Sequence, residues 1–302
     1  MKDVKDYEIK ALKRQIFISN LKAWIIGLFL LAELIFIINY FSKMGMFEEV
    51  STAKNKVAVI RYNQEVTEEF TSKVMEKLDT IRKNGEYQSL LFIMGSPGGS
   101  PTASEELSEY LKDYQNDMNV TMYVDSIAAS GGYYIASAIR PLYANKNAIV
   151  GSIGVIMPHY NFEELAKKIG VEEDYLAAGK FKKPISMLAK IDKENKEYMV
   201  KHLLKPTYEN FVNAVANNRG LSPKALKPFT EGKIYIANVP EIQGVLVDQI
   251  SSLYKIKKMI REHIGSEDVD FVNINLQEEP PFFAQVKVDL GIEKLLTHLQ
   301  WH

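Results

Sequence analysis

Cysteine is absent from the 302 residues. Its absence excludes disulfides, a thiol nucleophile and a cysteine-ligated metal, and leaves the chain compatible with an oxidising compartment. Histidine is scarce: His159, His202, His263, His298 and His302 are the five, and none lies in a glycine-rich or acidic context of the kind a catalytic triad shows. His159, just after Pro158, is the one histidine candidate for a general base. With no HExxH or CxxC pattern either, no metal site and no cofactor are expected. An excess of one charge is also missing. The formal net charge is −1, so the global balance points neither to nucleic acid nor to an acidic ligand. What is present, 46% hydrophobic and 25% charged residues, is the composition of a globular chain long enough to bury a full core.

Long apolar runs are limited to one. Residues 23–41 (AWIIGLFLLAELIFIINYF) would span about 28 Å as a helix, close to the thickness of a bilayer core. Trp24 and Tyr40 stand near its ends, where aromatic rings favour the membrane interface. No small-x-small cleavage site follows, which argues against a removable signal peptide. Glu33, mid-span, breaks the pattern; it is expected to be protonated or to face a neighbouring helix. Lys13, Arg14 and Lys22 precede the run, whereas Lys43 is followed by Glu48 and Glu49. The positive-inside rule therefore puts residues 1–22 in the cytoplasm and everything after the anchor on the outer side of a single-pass protein in contact with the lipid bilayer. Residues 42–55 read as a linker.

From Lys56 onward strands and helices alternate. The sequence predicts strands at 56–62 (KVAVIRY), 89–95 (SLLFIMG) and 119–125 (NVTMYVD), with helices at 66–84, from Thr102 to about Tyr114, and at 133–139. Nearly continuous apolar strands separated by helices imply a parallel α/β sheet.

Two glycine turns each follow the carboxyl end of an apolar strand, where open α/β sheets place their ligands. One is Gly95-Ser96-Pro97-Gly98-Gly99-Ser100; the other is Ala128-Ala129-Ser130-Gly131-Gly132. A serine on a tight turn at a helix start is accessible for attack, with backbone N–H groups close to the developing charge. Small residues also occur wherever a helix packs closely on a sheet, so either turn could be packing alone. A serine needs a base, and lysine serves when its ammonium is desolvated or lies near other cations. The segment 176–184 (LAAGKFKKP), read as a strand ending at Gly179, crowds Lys180, Lys182 and Lys183 around Phe181; a solvated lysine face is the plain alternative.

In order along the chain, FIMGSPGGS, SIAASGGYYIASA, NAIVGSIGVIM, AAGKFKK and EGKIYIANVPEIQGVLVDQI resemble the motifs of the signal peptide peptidase A family of bacterial serine peptidases (the S49 group, SohB-like members included). The resemblance covers residues 56–262 and leaves 263–302 as a C-terminal extension without a reading, apart from a short amphipathic helix suggested by LGIEKLLTHLQ. It implies a crotonase/ClpP-like α/β fold of repeated β-β-α units after one transmembrane helix. It also implies Ser130 as nucleophile, Lys182 (three residues after Gly179) as general base, and the Gly99 and Gly131 N–H groups as the oxyanion hole. Short members of the family carry one catalytic domain and assemble into rings in which adjacent subunits share the dyad. The implied protein cleaves remnant signal peptides and other short or unfolded hydrophobic peptides at the bacterial inner membrane. The last motif departs from the family in having no glycine after LVD, and it is read as packing or subunit contact rather than chemistry. An acyl-thioester enzyme on the same fold and a catalytically silent membrane scaffold remain the alternatives.

Overall fold

A computed structural model describes residues 2–43 and 53–276. The chain divides into two units, residues 1–52 and 53–302. The described residues of the first form one helix, α1 (Lys2–Lys43). Its stretch Lys13–Tyr40 is long and apolar enough to cross a membrane, and none of it is buried. The apolar run read from the sequence is therefore the C-terminal half of a longer helix.

The second unit opens with β1 (Asn55–Tyr62), α2 (Glu68–Asn84), β2 (Tyr87–Ser96), α3 (Pro101–Tyr114), β3 (Asn119–Ala129) and α4 (Gly131–Ala136). Short strands β4 (Leu142–Ala144) and β5 (Ile149–Gly151) follow. Then come α5 (Glu163–Ile169), α6 (Lys193–Met199), a π turn (Val200–Leu204), α7 (Lys205–Arg219) and α8 (Pro223–Leu226). Strands β6 (Ile234–Ile236) and β7 (Gln249–Ile250), helix α9 (Leu253–Ile264) and strand β8 (Val269–Asn273) complete it.

Local signals explain the helix boundaries. Thr67 caps α2 by accepting the Phe70 N–H, Glu68 and Glu69 complement the first turn, and Gly85 ends the helix at φ 62°. Ser100 caps α3 by accepting the Ala103 N–H, with Pro101 in the first helical position.

The sheet runs β6-β5-β3-β2-β1-β8, with β4 also on β3 and β7 on β4. All pairings are parallel except β5 with β6. The doubling of strands occurs at β3, which pairs through Met122–Val124 with β4 and through Ile127–Ala129 with β5. Alternation along the strands explains why they read as continuous apolar runs. Ile60, Phe92, Met122 and Val124 enter the core shared with α2, α3 and α4, while Val59, Leu91, Ile93 and Tyr123 enter a second core under Ile256 and Ile260 of α9.

Two sequence readings change. Residues 171–180 form no strand before Gly179; they are irregular and exposed throughout, because the stretch lacks a neighbouring strand to pair with. The region after residue 262, set aside as an extension, completes α9 and supplies β8, which pairs in parallel with β1 from Asn55↔Val269 to Val59↔Asn273. The LGIEKLLTHLQ helix lies outside the described residues.

The last motif does pack, as read. Arg219, with a fully buried side chain, donates from Nη1 to Asp248 Oδ2 at 2.9 Å and from Nε to the Val245 carbonyl at 2.9 Å. Arg140 Nη2 donates to Asp248 Oδ1 at 3.2 Å, and the Leu142 N–H donates to Oδ2 at 2.7 Å. One carboxylate thus ties α7, the turn before β7 and the start of β4. Burial pushes the Asp248 carboxyl up, but the Arg219 and Leu142 hydrogen bonds and both guanidinium charges outweigh it, leaving it below its ordinary value. Asp248→Ala strands a buried guanidinium and is expected to cost about 3–5 kcal/mol in denaturant unfolding. Because the folded carboxyl titrates lower than the unfolded one, its stabilisation is present above about pH 4 and lost as pH falls through the folded value. The Asp248→Asn variant should lack that part of the acid-side loss of stability.

Candidate active site

The carboxyl ends of β2 and β3 bring the two glycine turns together. Met94 pairs with Val124, and the register then shifts so that Ser96 pairs with Ala128. This irregularity carries the end of β3 past the turn after β2. There Ser130 takes φ 51° and ψ −125°, a left-handed conformation unusual for a residue with a side chain. Its N–H donates to the Gly151 carbonyl at 2.9 Å and its carbonyl accepts the Tyr134 N–H at 2.9 Å. The hydroxyl makes no capping bond to α4 and is left available.

Backbone packs on backbone here. A Cβ built on Gly98 would lie 2.7 Å from Ser130 Cβ and 3.0 Å from the Gly131 nitrogen. Gly99 has φ 151°, and a Cβ there would lie 2.2 Å from the Val66 carbonyl oxygen. A Cβ on Gly131 would collide with Ser104 Oγ at 2.3 Å and sit 3.3 Å from the Gly99 nitrogen. Gly99 bridges to Val66, but through its neighbours: the Val66 N–H donates to the Gly98 carbonyl and the Ser100 N–H to the Val66 carbonyl, both at 2.8 Å. The Gly99 N–H is thereby left out of the bridge. Gly131 opens α4, so its N–H has no acceptor within the helix. Two N–H groups beside one serine hydroxyl are the parts that acyl transfer requires.

Around them lies a cleft of about 990 Å³ whose wall includes Ser130, Gly99, Gly131, Ser152, Tyr134 and Phe211. The Tyr134 and Phe211 rings stack with centroids 5.1 Å apart and give it an apolar side. Ser152 was not singled out from the sequence. It has the second positive φ outside glycine, 55°, and its N–H donates to the Lys233 carbonyl at 2.7 Å. It stands within the GSIGV segment, but nothing in that string signals a strained hydroxyl on the cleft wall.

Lys182 is not on that wall. It is exposed, in the irregular segment after α5, with its N–H bonded to the Gly179 carbonyl at 3.1 Å. The burial read from the Phe181 neighbourhood is not realised within one chain, because the Phe181 ring stacks on Tyr198 instead. Of the three clustered lysines, Lys180 pairs with Glu194 and Lys183 with Glu173, whereas the Lys182 ammonium has no partner among the described residues. His159 is likewise absent from the cleft wall.

The left-handed backbone at Ser130 gives a measurable signature. Ser130→Gly is expected to raise stability by about 1 kcal/mol in denaturant unfolding, whereas Ser130→Ala, which keeps the Cβ, should not.

Comparison with known proteins gives the family and the fold. The peptidase family S49 model matches residues 112–266, and the Clp protease model matches residues 44–169. The second match and the parallel sheet identify the fold as ClpP/crotonase-like α/β. A putative protease of Methanocaldococcus jannaschii is 32% identical over 207 residues, covering 68% of this chain and 66% of the relative. A putative protease of Synechocystis is 29% identical over 230 residues, 76% of this chain and 82% of that one. A putative signal peptide peptidase SppA of Enterococcus faecium is 31% identical over 194 residues, 61% of this chain and 56% of the relative. Among solved structures, a ClpP1 mutant of Listeria monocytogenes overlaps 65% of this chain and 92% of its own at a TM-score of 0.43 and 14% identity. With the S49 model covering just over half of its length, on a cleft built around a serine and two free N–H groups, the chain belongs to peptidase family S49.

Proposed function

We propose that this chain is a membrane-anchored serine endopeptidase in which Ser130 is the nucleophile and Lys182 of a neighbouring copy is the general base. The observation that carries the reading is the packing of the Gly98–Gly99 turn against Ser130 and Gly131, which sets two N–H groups beside an uncapped hydroxyl. Family membership favours peptide-bond hydrolysis over acyl-thioester chemistry or a silent scaffold.

In the proposed reaction the neutral Lys182 amine takes the Ser130 proton as Oγ attacks the peptide carbonyl. The Gly99 and Gly131 N–H groups hold the oxyanion. Collapse breaks the C–N bond, Lys182 returns the proton to the leaving amine, and an ester on Ser130 remains. Water then gives a proton to Lys182 and attacks the ester; the proton passes back to Ser130 as the acid product leaves.

The location of Lys182 supports an intermolecular dyad. The segment that carries it also exposes a run of large apolar side chains, among them Ile156 (87% exposed), Ile169 (66%) and Leu176 (102%). So much apolar surface on one irregular arm is what an interface between copies would cover. Covering it would also desolvate the Lys182 ammonium and favour the neutral amine that the chemistry needs. We read the assembly as a closed ring, the form a head-to-tail contact takes when its rotation divides a full turn.

The apolar stretch of α1 is read as the anchor, with residues 1–22 cytoplasmic and the catalytic unit outside the bacterial inner membrane. The apolar cleft side and the anchor together suit short or unfolded hydrophobic peptides released at the membrane, remnant signal peptides among them. Ser130→Ala and Lys182→Ala are each expected to lower cleavage of a fluorogenic hydrophobic peptide by about 10³-fold or more. Co-assembling the two inactive variants should restore roughly a quarter of wild-type activity, the fraction of interfaces that combine an intact serine with an intact lysine. Full loss in each variant without any restoration would place both residues within one chain.

A further inference from the structure

At the opposite end of the sheet from Ser130 lies a second cavity of about 300 Å³, the size of a small-ligand pocket. It opens where β2 and β3 begin and shares no wall residue with the Ser130 cleft. Thr121 on its wall stands nine residues before Ser130, roughly 30 Å along an extended strand.

Ser89 lines this cavity, is 4% exposed, and its hydroxyl has no hydrogen-bond partner among the described residues. Strand alternation puts it on the α9 face with Leu91 and Ile93, in register with Asn119 of β3. A serine at such a position is ordinarily paired or replaced by an apolar residue, because a buried hydroxyl left unpaired is unfavourable. Its presence on a cavity wall points to a partner arriving from outside the chain.

The charge of the wall is one-sided. Arg140 and His263 line it, and no aspartate or glutamate does. Arg140 shares its counter-ion: Asp248 serves both Arg140 and Arg219, so two guanidiniums face one carboxylate and a positive charge is left over. Met118, Met259 and Ile260 give the wall an apolar stretch, and Gln115, Asn119 and Thr121 add uncharged polar groups. We propose that this cavity binds a small organic carboxylate carrying an apolar group, with the carboxylate at Arg140 and His263, a polar atom on Ser89 Oγ, and the apolar group against Met259 and Ile260. An N-acylated amino acid has this chemistry. The site uses no residue of the Ser130 cleft and does not depend on the peptidase reading.

The methionines on the wall report on it directly. The full chain, in detergent and carrying ¹³C-methyl methionine, is titrated with N-acetyl-leucine up to about 10 mM, a range suited to so small a ligand. Saturable shifts of the Met118 and Met259 methyl resonances are expected, with N-acetyl-leucinamide binding about tenfold or more weakly for want of the charge. Ser89→Val, which retains the volume and removes the hydroxyl, should weaken binding several-fold. His263→Gln, on the exposed end of α9, serves as a second variant should Ser89→Val fold poorly, and should likewise weaken it. Unmoved Met118 and Met259 resonances, equal binding of acid and amide, or full affinity in every folded variant would overturn the proposal.

Discussion

At the Ser130 turn the backbone has to come within contact distance of another stretch of backbone, and this one requirement organises the rest of the second unit. The Gly98–Gly99 turn can touch Ser130 and Gly131 only if no side chain intervenes and if β2 and β3 end side by side. The parallel register of those strands, the capping of α3 by Ser100 and the bridge of Gly99 to Val66 all hold the first turn in place. The Ser130 N–H bond to Gly151 on β5 and the start of α4 hold the second. A left-handed serine persists there because it is over-determined by its surroundings, as strained residues at functional sites generally are. The strain is local, while the cores on the two faces of the sheet supply the stability that sustains it.

Much of this was legible in the sequence because the signals are local. Alternating apolar strands and capped helices give the α/β order, and Gly-Gly after an apolar strand marks a turn where only glycine fits. The resemblance of five ordered motifs added roles that spacing alone does not carry, since a serine in a glycine turn is equally compatible with close packing. What stayed hidden depends on distant parts of the chain. The strand at 269–273 is edge-paired with the first strand, more than 200 residues earlier, and nothing in VDFVN specifies that partner. The positive φ of Ser152 goes with an N–H bond to the Lys233 carbonyl, 81 residues on. Around Lys182 the cluster is a solvated face within one chain, the plain alternative of the sequence reading: the aromatic stacks on Tyr198 and the neighbouring lysines pair with their own glutamates.

That distribution of partners gives Lys182 its meaning. Lys180 and Lys183 are neutralised within the chain, whereas among the described residues Lys182 has no ionic partner and the large apolar side chains of its segment are left exposed. On the proposed reading, a single copy holds a prepared serine without a base and a base without a prepared environment. Such a division would keep a peptidase inactive until it assembles. If α1 is the anchor proposed above, it would concentrate copies in two dimensions and so favour assembly.

The central claim, that Ser130 is a nucleophile activated by Lys182, is tested most directly by mass spectrometry of the assembled protein after reaction with an alkyl fluorophosphonate. The account expects one covalent adduct, on Ser130, that is lost or nearly so in the Lys182→Ala protein. An adduct on Ser152 or elsewhere, or labelling of Ser130 that is indifferent to the loss of Lys182, would contradict it.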